Sequence, residues 1–273
     1  MAELRSEAPE LIPSLHRRAA SWFADHGDEA RGLVHAVEAE AWDLAARLAA
    51  RMHLARLDGD LDSAVERGRS LLGEGQVETR SVDPGLRALA LVQLGIAELW
   101  AGDAEEAEHH LERGRGAAAE AGQDWLVLMA VAHLALLGAT TSDYARSARL
   151  AGDAIALAEA QGWDRTWPAG AAYLALASAE FLWDRSDDAV QTLEQCRAAL
   201  GGTQEPPLRA GLALLRSVAL DRQGAPESAL AVLEAGVEEL GDWPLLPSWR
   251  NQFAAREAVI RPALGSASRP PAW

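Results

Sequence analysis

LGIAELWAGDAEEAEHHLERG, residues 94–114, holds the pattern that decides the fold. An apolar run ends at Trp100, a short turn with Gly102 and Asp103 follows, and two acids lead into Ala107. Leu111 and Gly114 then continue at helical spacing. The same layout returns as ALASAEFLWDRSDDAVQTLEQC over residues 175–196. Working outward, a polar turn with Gly or Asp followed by an alanine recurs at HGDEA ending at Ala30, DGDLDSA at Ala64, AGDAEEA at Ala107, TTSDYARSA at Ala148, DRSDDA at Ala189 and RQGAPESA at Ala229. The alanines are 34, 43, 41, 41 and 40 residues apart. A period in this range belongs to arrays of stacked helix pairs.

The turns carry helix-start chemistry. Asp103 with Glu106, and Ser186 or Asp187 before Ala189, offer oxygen acceptors and negative charge to the unpaired amides of a new helix. Pro226 suits a first helical position. The alanine lets two helices approach closely, and Gly95 and Ala177 lie twelve residues before Ala107 and Ala189. Leu111 and Leu193 take the next large apolar position, and Gly114 and Cys196 the next small one, so Cys196 reads as a packing residue. This is tetratricopeptide (TPR) spacing. The fold expected is all-α: a right-handed superhelical solenoid of TPR-like antiparallel helix pairs with a repeat of about 40 residues.

Pairs are expected at 86–100 with 103–121, 124–139 with 143–162, 167–183 with 187–200, and 207–222 with 226–240. Residues 1–72 read as an N-terminal helical segment leading into the array and 73–85 as a connector. Residues 86–262 read as the TPR-like repeats with a C-terminal capping helix from Pro247 to Arg261, and 263–273 as a flexible linker or tail.

Composition supports an all-helical chain and narrows its chemistry. Of 273 residues, 58 are Ala and 40 are Leu, both strong helix formers, and none is Lys. Without lysine there is no GxxxxGK[ST] phosphate loop, no Schiff-base lysine and no lysine general base. A net charge of −16 opposes direct binding of nucleic acid, which rests on cationic side chains displacing counterions from phosphates. One cysteine and no basic-then-apolar leader point to a cytoplasmic protein. The longest apolar stretch, WLVLMAVAHLALLG at 125–138, is too short to span a bilayer and reads as a buried helix; no membrane association is expected. No nucleophile elbow and no HExxH motif occur, so no catalytic residues and no enzyme activity are expected.

The head of the chain adds a resemblance. Residues 15–52, LHRRAASWFADHGDEARGLVHAVEAEAWDLAARLAARM, carry His16-Arg17-Arg18-Ala19-Ala20, Trp22-Phe23, His26-Gly27-Asp28, His35-Ala36 and Ala41-Trp42-Asp43 leading to Ala45-Ala46. This segment resembles the opening of the TPR-like sensor region of MalT-type large ATP-binding LuxR-family transcriptional regulators. The repeats at 94–114 and 175–196 are similar to that family's sensor repeats. The resemblance implies a sensor and protein-interaction role without the family's ATPase and helix-turn-helix domains, whose motifs are missing here. It implies no cofactor in this segment, with ATP belonging to an upstream domain. The partner implied is a small-molecule inducer, a carbohydrate among the options, or a regulatory protein or peptide. The alternative is a free-standing TPR-type scaffold that binds a peptide or protein without sensing a metabolite, and −16 favours basic partners for it.

The first helix of each pair lines the concave face of such an array, the default binding surface. Its polar and aromatic residues are Gln93, Glu98, Trp100, His133, Tyr173, Ser178, Glu180, Trp183, Arg209 and Arg216. Helical spacing also fits Trp100, Tyr173 and Trp183 to inter-helix packing, and His133 in its apolar helix to a hydrogen-bonded core histidine. Arg216, within GLALLRSVAL, needs a partner or an opening to solvent, which makes it the leading candidate for an anion or carboxylate contact. Ten tryptophans offer faces that stack on sugars or planar ligands, yet Trp22, Trp42, Trp125 and Trp243 sit near expected helix ends or turns, where they clamp adjacent helices. His109-His110 with Glu105, Glu106 and Glu108 offers two ligands one turn apart but no third, so no metal site is expected.

Overall fold

The computed structural model describes residues 11–26, 29–39, 84–201, 205–244 and 247–264, together with isolated positions between 41 and 66. Among these residues every regular element is a helix. They are α1 (Ile12–Asp25), α2 (Glu29–Glu38), α3 (Pro84–Ala101), α4 (Ala104–Glu120), α5 (Asp124–Thr140), α6 (Tyr144–Gln161), α7 (Trp167–Leu182), α8 (Ser186–Leu200), α9 (Pro206–Arg222), α10 (Pro226–Leu240) and α11 (Pro247–Ala263). Helices stand at the positions expected for the four pairs and for the last helix, with ends shifted by at most two residues. The connector and the tail, and turn alanine Ala64, lie outside the described residues apart from Pro84-Gly85, which open α3, and the 263–264 end of α11. No described helix is long and apolar enough to cross a membrane.

The chain divides into two compact units, residues 1–98 with 105–127 and residues 99–104 with 128–273. In the first, α1 packs on α2. Residues of the head motif meet there: His16 and His35 approach Nδ1 to Nδ1 at 2.9 Å, and the Phe23 ring stacks on His35. Trp22 stacks on His26 at the end of the same helix. The motif thus builds a helix-to-helix contact.

The repeat register is set by small residues. Gly95 lies so close to α4 that a Cβ there would sit 2.7 Å from Leu111 Cγ and 3.0 Å from its backbone nitrogen. The first fully buried residue of each second helix is Ala107, Ser147, Ala189 and Ala229 in turn, spaced 40, 42 and 40. After the turn between α5 and α6 the small position is therefore Ser147, one residue before the expected Ala148, which is half-buried. The reason is polar: the Ser147 hydroxyl donates to the Ala135 carbonyl at 2.8 Å, replacing the plain alanine contact with a hydrogen bond between the helices. Leu111, Ala151, Leu193 and Leu233 follow in register, then Gly114, Ala154, Cys196 and Gly236. Cys196 packs as expected, its thiol against the Gly170 carbonyl at 3.3 Å. Burial pushes that thiol up, far from the thiolate needed for reactivity. A thiol reagent should leave the native chain unlabelled and react once in denaturant.

Second helices show one apolar stripe, whereas α7 is apolar on nearly every side because α6, α8 and α9 all pack on it. In the second unit α7 packs on α6, α8 and α9, and α9 on α8, α10 and α11. That nearest-neighbour pattern is the helical solenoid.

The intra-repeat turns share one backbone device. Gly102, Ser142, Asp184 and Gly224 occupy the same position of successive turns and all have positive φ, between 58° and 93°. Ser142 and Asp184 adopt there a conformation that suits glycine. Ser142→Gly is expected to stabilise the chain by about 1 kcal/mol, read as a higher urea midpoint with unchanged slope. Asp143 caps α6, accepting the Arg146 amide at 3.2 Å. Ser186, an expected cap, instead accepts from Arg222 at 2.6 Å, and α8 starts without a side-chain cap. Pro226 stands in the first turn of α10, as its ring requires.

Candidate functional site

The first helices of the second unit line a groove. It holds a cavity of about 150 Å³ between Leu136 and Thr140 of α5, Leu174 and Ser178 of α7, Leu214 of α9, and Trp249 of α11. Tyr144 and Gln252 complete the polar part of the wall. Leu136 and Ser178 each stand one residue after the small positions Ala135 and Ala177, and Leu174 and Leu214 each stand three residues before Ala177 and Ser217, so the repeat itself aims them at one space. Gly211 leaves room for the Trp249 indole: a Cβ there would be 2.9 Å from the ring. The lining holds no Asp, Glu, Lys, Arg or His. It offers apolar surface with two hydroxyls, a phenol and an amide.

Of the ten residues expected on this face, Ser178 lines the cavity; its hydroxyl donates to the Leu174 carbonyl at 2.9 Å. Trp100 is buried and meets Trp243 and Trp249 edge to face at 6.1 and 5.6 Å between ring centroids, which ties it to the groove wall. Its indole Nε1 is buried without a partner. Trp183 is exposed at the end of α7, and Gln93 is half-buried in α3. Tyr173 is buried, and burial pushes its phenol up. His133 is buried, its Nδ1 at 2.7 Å from the Met129 carbonyl and its ring edge-on to Trp167. Arg209 pairs with Glu239 at 2.9 Å, and Arg209 and Arg216 line a different cleft, between α8, α9 and α10.

Glu98 and Glu180 occupy equivalent places, as their spacing implies, but face their own second helices. Glu98 accepts from His110, twelve residues on, at 2.7 Å, with both side chains at most 2% exposed. His110 is thus buried against α3, while His109 faces out. Glu106 brings its carboxylate to 4.0 Å from the same His110 nitrogen. One atom from each of Glu98, Glu106 and His110 falls within 4.8 Å of the others, a set able to hold a divalent cation. The third ligand comes from the preceding helix, which spacing along α4 alone does not reveal. The Glu98–His110 hydrogen bond joins the helices without any ion.

Glu180 stands opposite Thr192, again twelve residues on, whose hydroxyl hydrogen-bonds it. Burial pushes its carboxyl above the ordinary range, Thr192 and Arg185 pull it back, and its Oε2 is buried without a partner. A raised folded-state value means that the folded chain holds the proton more tightly. The contribution to stability is then full below the unfolded carboxyl value of about 4.3 and is lost as pH rises through the folded value. Glu180→Gln should remove that decline, leaving the chain at least as stable as the parent at pH 7, by urea midpoints at pH 4 and pH 7.

Tyr144, Thr140, Gln252 and Trp249 are the groove residues that sequence reasoning missed. Thr140 was within reach, since it holds in its repeat the place that Trp100 holds in the one before.

Compared with known proteins, no family model matches the chain, and no curated protein matches it. Among solved structures it is similar to BtubC (BKLC) from P. vanneervenii, at 19% identity and a TM-score of 0.48, covering 97% of this chain and 96% of that one. It is also similar to a tetratricopeptide repeat protein from Parabacteroides merdae ATCC 43184, at 16% identity and a TM-score of 0.41, over 90% and 98% of the two chains. MamA of MSR-1 shares 19% identity at a TM-score of 0.37 over 69% of this chain and 92% of its own.

Proposed function

We propose that the chain is a TPR-type interaction scaffold that binds a protein segment in the groove of its second unit. The observation that carries this reading is the uncharged cavity assembled from equivalent positions of consecutive first helices. Its volume is of the order that accepts one benzene ring, so it suits one aromatic or aliphatic anchor of a bound segment. Thr140, Tyr144, Ser178 and Gln252 would pair with the segment's backbone or a neighbouring polar group. The charge of −16 lies outside this lining; it would steer a basic partner at long range without contributing to the anchor contact. No step of bond making is assigned to the groove, and the protein acts by holding its partner.

The test is selection of peptides from a displayed random library on the purified chain. Enriched peptides are expected to share a Phe, Trp or Leu anchor with basic flanks. Ser178→Trp, which fills the cavity, should abolish their binding while circular dichroism stays that of the parent. Peptides without a common anchor, or binding indifferent to Ser178→Trp, would count against the reading.

A sensor role in a MalT-like regulator is a finer version of this reading, favoured by the resemblance of residues 15–52. It would give the same groove an inducer or a regulatory protein as occupant. The display experiment bears on the protein occupant; an inducer would show as a saturable thermal shift in a panel of sugars.

A further inference from the structure

We infer that the cleft between α8, α9 and α10 is an oxyanion site, taking the carboxylate or phosphate of a small ligand on Arg216 with Arg197 and Arg209 beside it. The inference is independent of the groove reading, since none of these side chains lines the groove.

The cleft is about 220 Å³, several times the ~30 Å³ of one liquid water, and it opens to solvent. Arg209 and Arg216 line it from positions two turns apart on α9, Arg197 from α8 and Glu239 from α10. Counting Glu194, which pairs with Arg197, these charges sum to +1 (three arginines and two glutamates) in a chain whose total is −16.

The three guanidiniums differ in their engagement. Arg197 is held by Glu194 at 2.7 Å and Arg209 by Glu239 at 2.9 Å, both pairs about half exposed. Arg216 is half-buried and has no hydrogen-bond or ion-pair partner among the described residues. The positions three and four residues away on α9 are Leu212, Ala213, Ala219 and Leu220, so its own helix supplies no acid. A half-buried cation left in this state favours any anion that reaches it. Exposed ion pairs are worth little, so Arg197 and Arg209 can turn from their carboxylates to a ligand at small cost. Guanidinium forks pair with carboxylate and phosphate through two parallel hydrogen bonds, which selects oxyanions over chloride.

The floor explains why the cleft stays open. Gly236 of α10 crosses α9 so tightly that a Cβ there would be 2.3 Å from the Ala213 Cβ. Small residues where the helices cross leave the space above them unfilled, and Leu212 and Val232 give it apolar walls. A ligand with an oxyanion head and a short aliphatic or aromatic body fits this combination better than a bare inorganic ion.

The experiment is calorimetric titration and thermal shift of the full purified chain with inorganic phosphate in one arm and glutarate in the other, against sodium chloride of equal ionic strength. A saturable response to at least one probe, absent with chloride, is expected. Arg216→Gln should weaken it roughly tenfold or more. Arg216→Lys, which keeps the charge and loses the fork, should weaken it less, and Gln252→Ala in the groove should leave it unchanged. Circular dichroism and unliganded melting confirm that each variant is folded. Response to phosphate alone or glutarate alone decides which head group the cleft prefers. No saturable response in either arm, or an undiminished response in Arg216→Gln, overturns the inference.

Discussion

Trp249→Ala is expected to destabilise the chain by about 3–5 kcal/mol, the range for truncating a buried tryptophan. The indole is 7% exposed, meets Trp100 edge to face and fills the space above Gly211, so its removal leaves a void that rigid helices on three sides cannot close. Because it also forms one wall of the groove, the same change enlarges the cavity that would receive an anchor. Urea unfolding followed by circular dichroism measures the first effect. Loss of affinity for a selected peptide at concentrations where the variant remains folded measures the second. A change below about 1 kcal/mol would mean that α11 frays locally without weakening the rest, and that Trp249 is no structural wall.

The second large effect belongs to the first unit. Glu98→Ala or His110→Ala breaks a polar pair of which neither member is more than 2% exposed, and each should cost about 3–5 kcal/mol. Replacing both together, Glu98→Leu with His110→Leu, should come out close to the parent, because desolvation of two polar groups is removed along with their attraction. The double-mutant cycle in urea is the measurement. Equal, additive losses would show that the two side chains act separately. If micromolar zinc raises the melting temperature of the parent and not of His110→Ala, the same triad with Glu106 also holds a cation.

Much of this architecture is written in local pattern. Turn alanines and the acids before them place each helix pair within one or two residues, because a second helix can approach its first only where both side chains are small. The exception, Ser147 in place of Ala148, is a case where a hydroxyl serves the close contact as well as a methyl does, by donating to the opposite carbonyl. Site residues were less legible. Polar residues on first helices divide between the groove, as for Ser178, and the crossing with the second helix, as for Glu98 and Glu180. That choice depends on a rotation of less than half a turn, which composition does not encode. Trp249 and Gln252 come from the capping helix, and their approach to α5 and α7 is a long-range contact with no local signature. Arg216 stands out in the sequence as a charge within the apolar run GLALLRSVAL, and it lies in a cleft instead of the groove.

Site-specific photocrosslinking in cells tests the central claim most directly. Benzophenone side chains placed at Gln252 and Thr140, in the groove, are to be compared with ones at Arg149 and Glu194, exposed on second helices. The account predicts one partner protein captured from both groove positions and from neither outer position, joined through a segment carrying an aromatic or aliphatic anchor. Capture from the outer positions alone, or no capture from the groove, would contradict it.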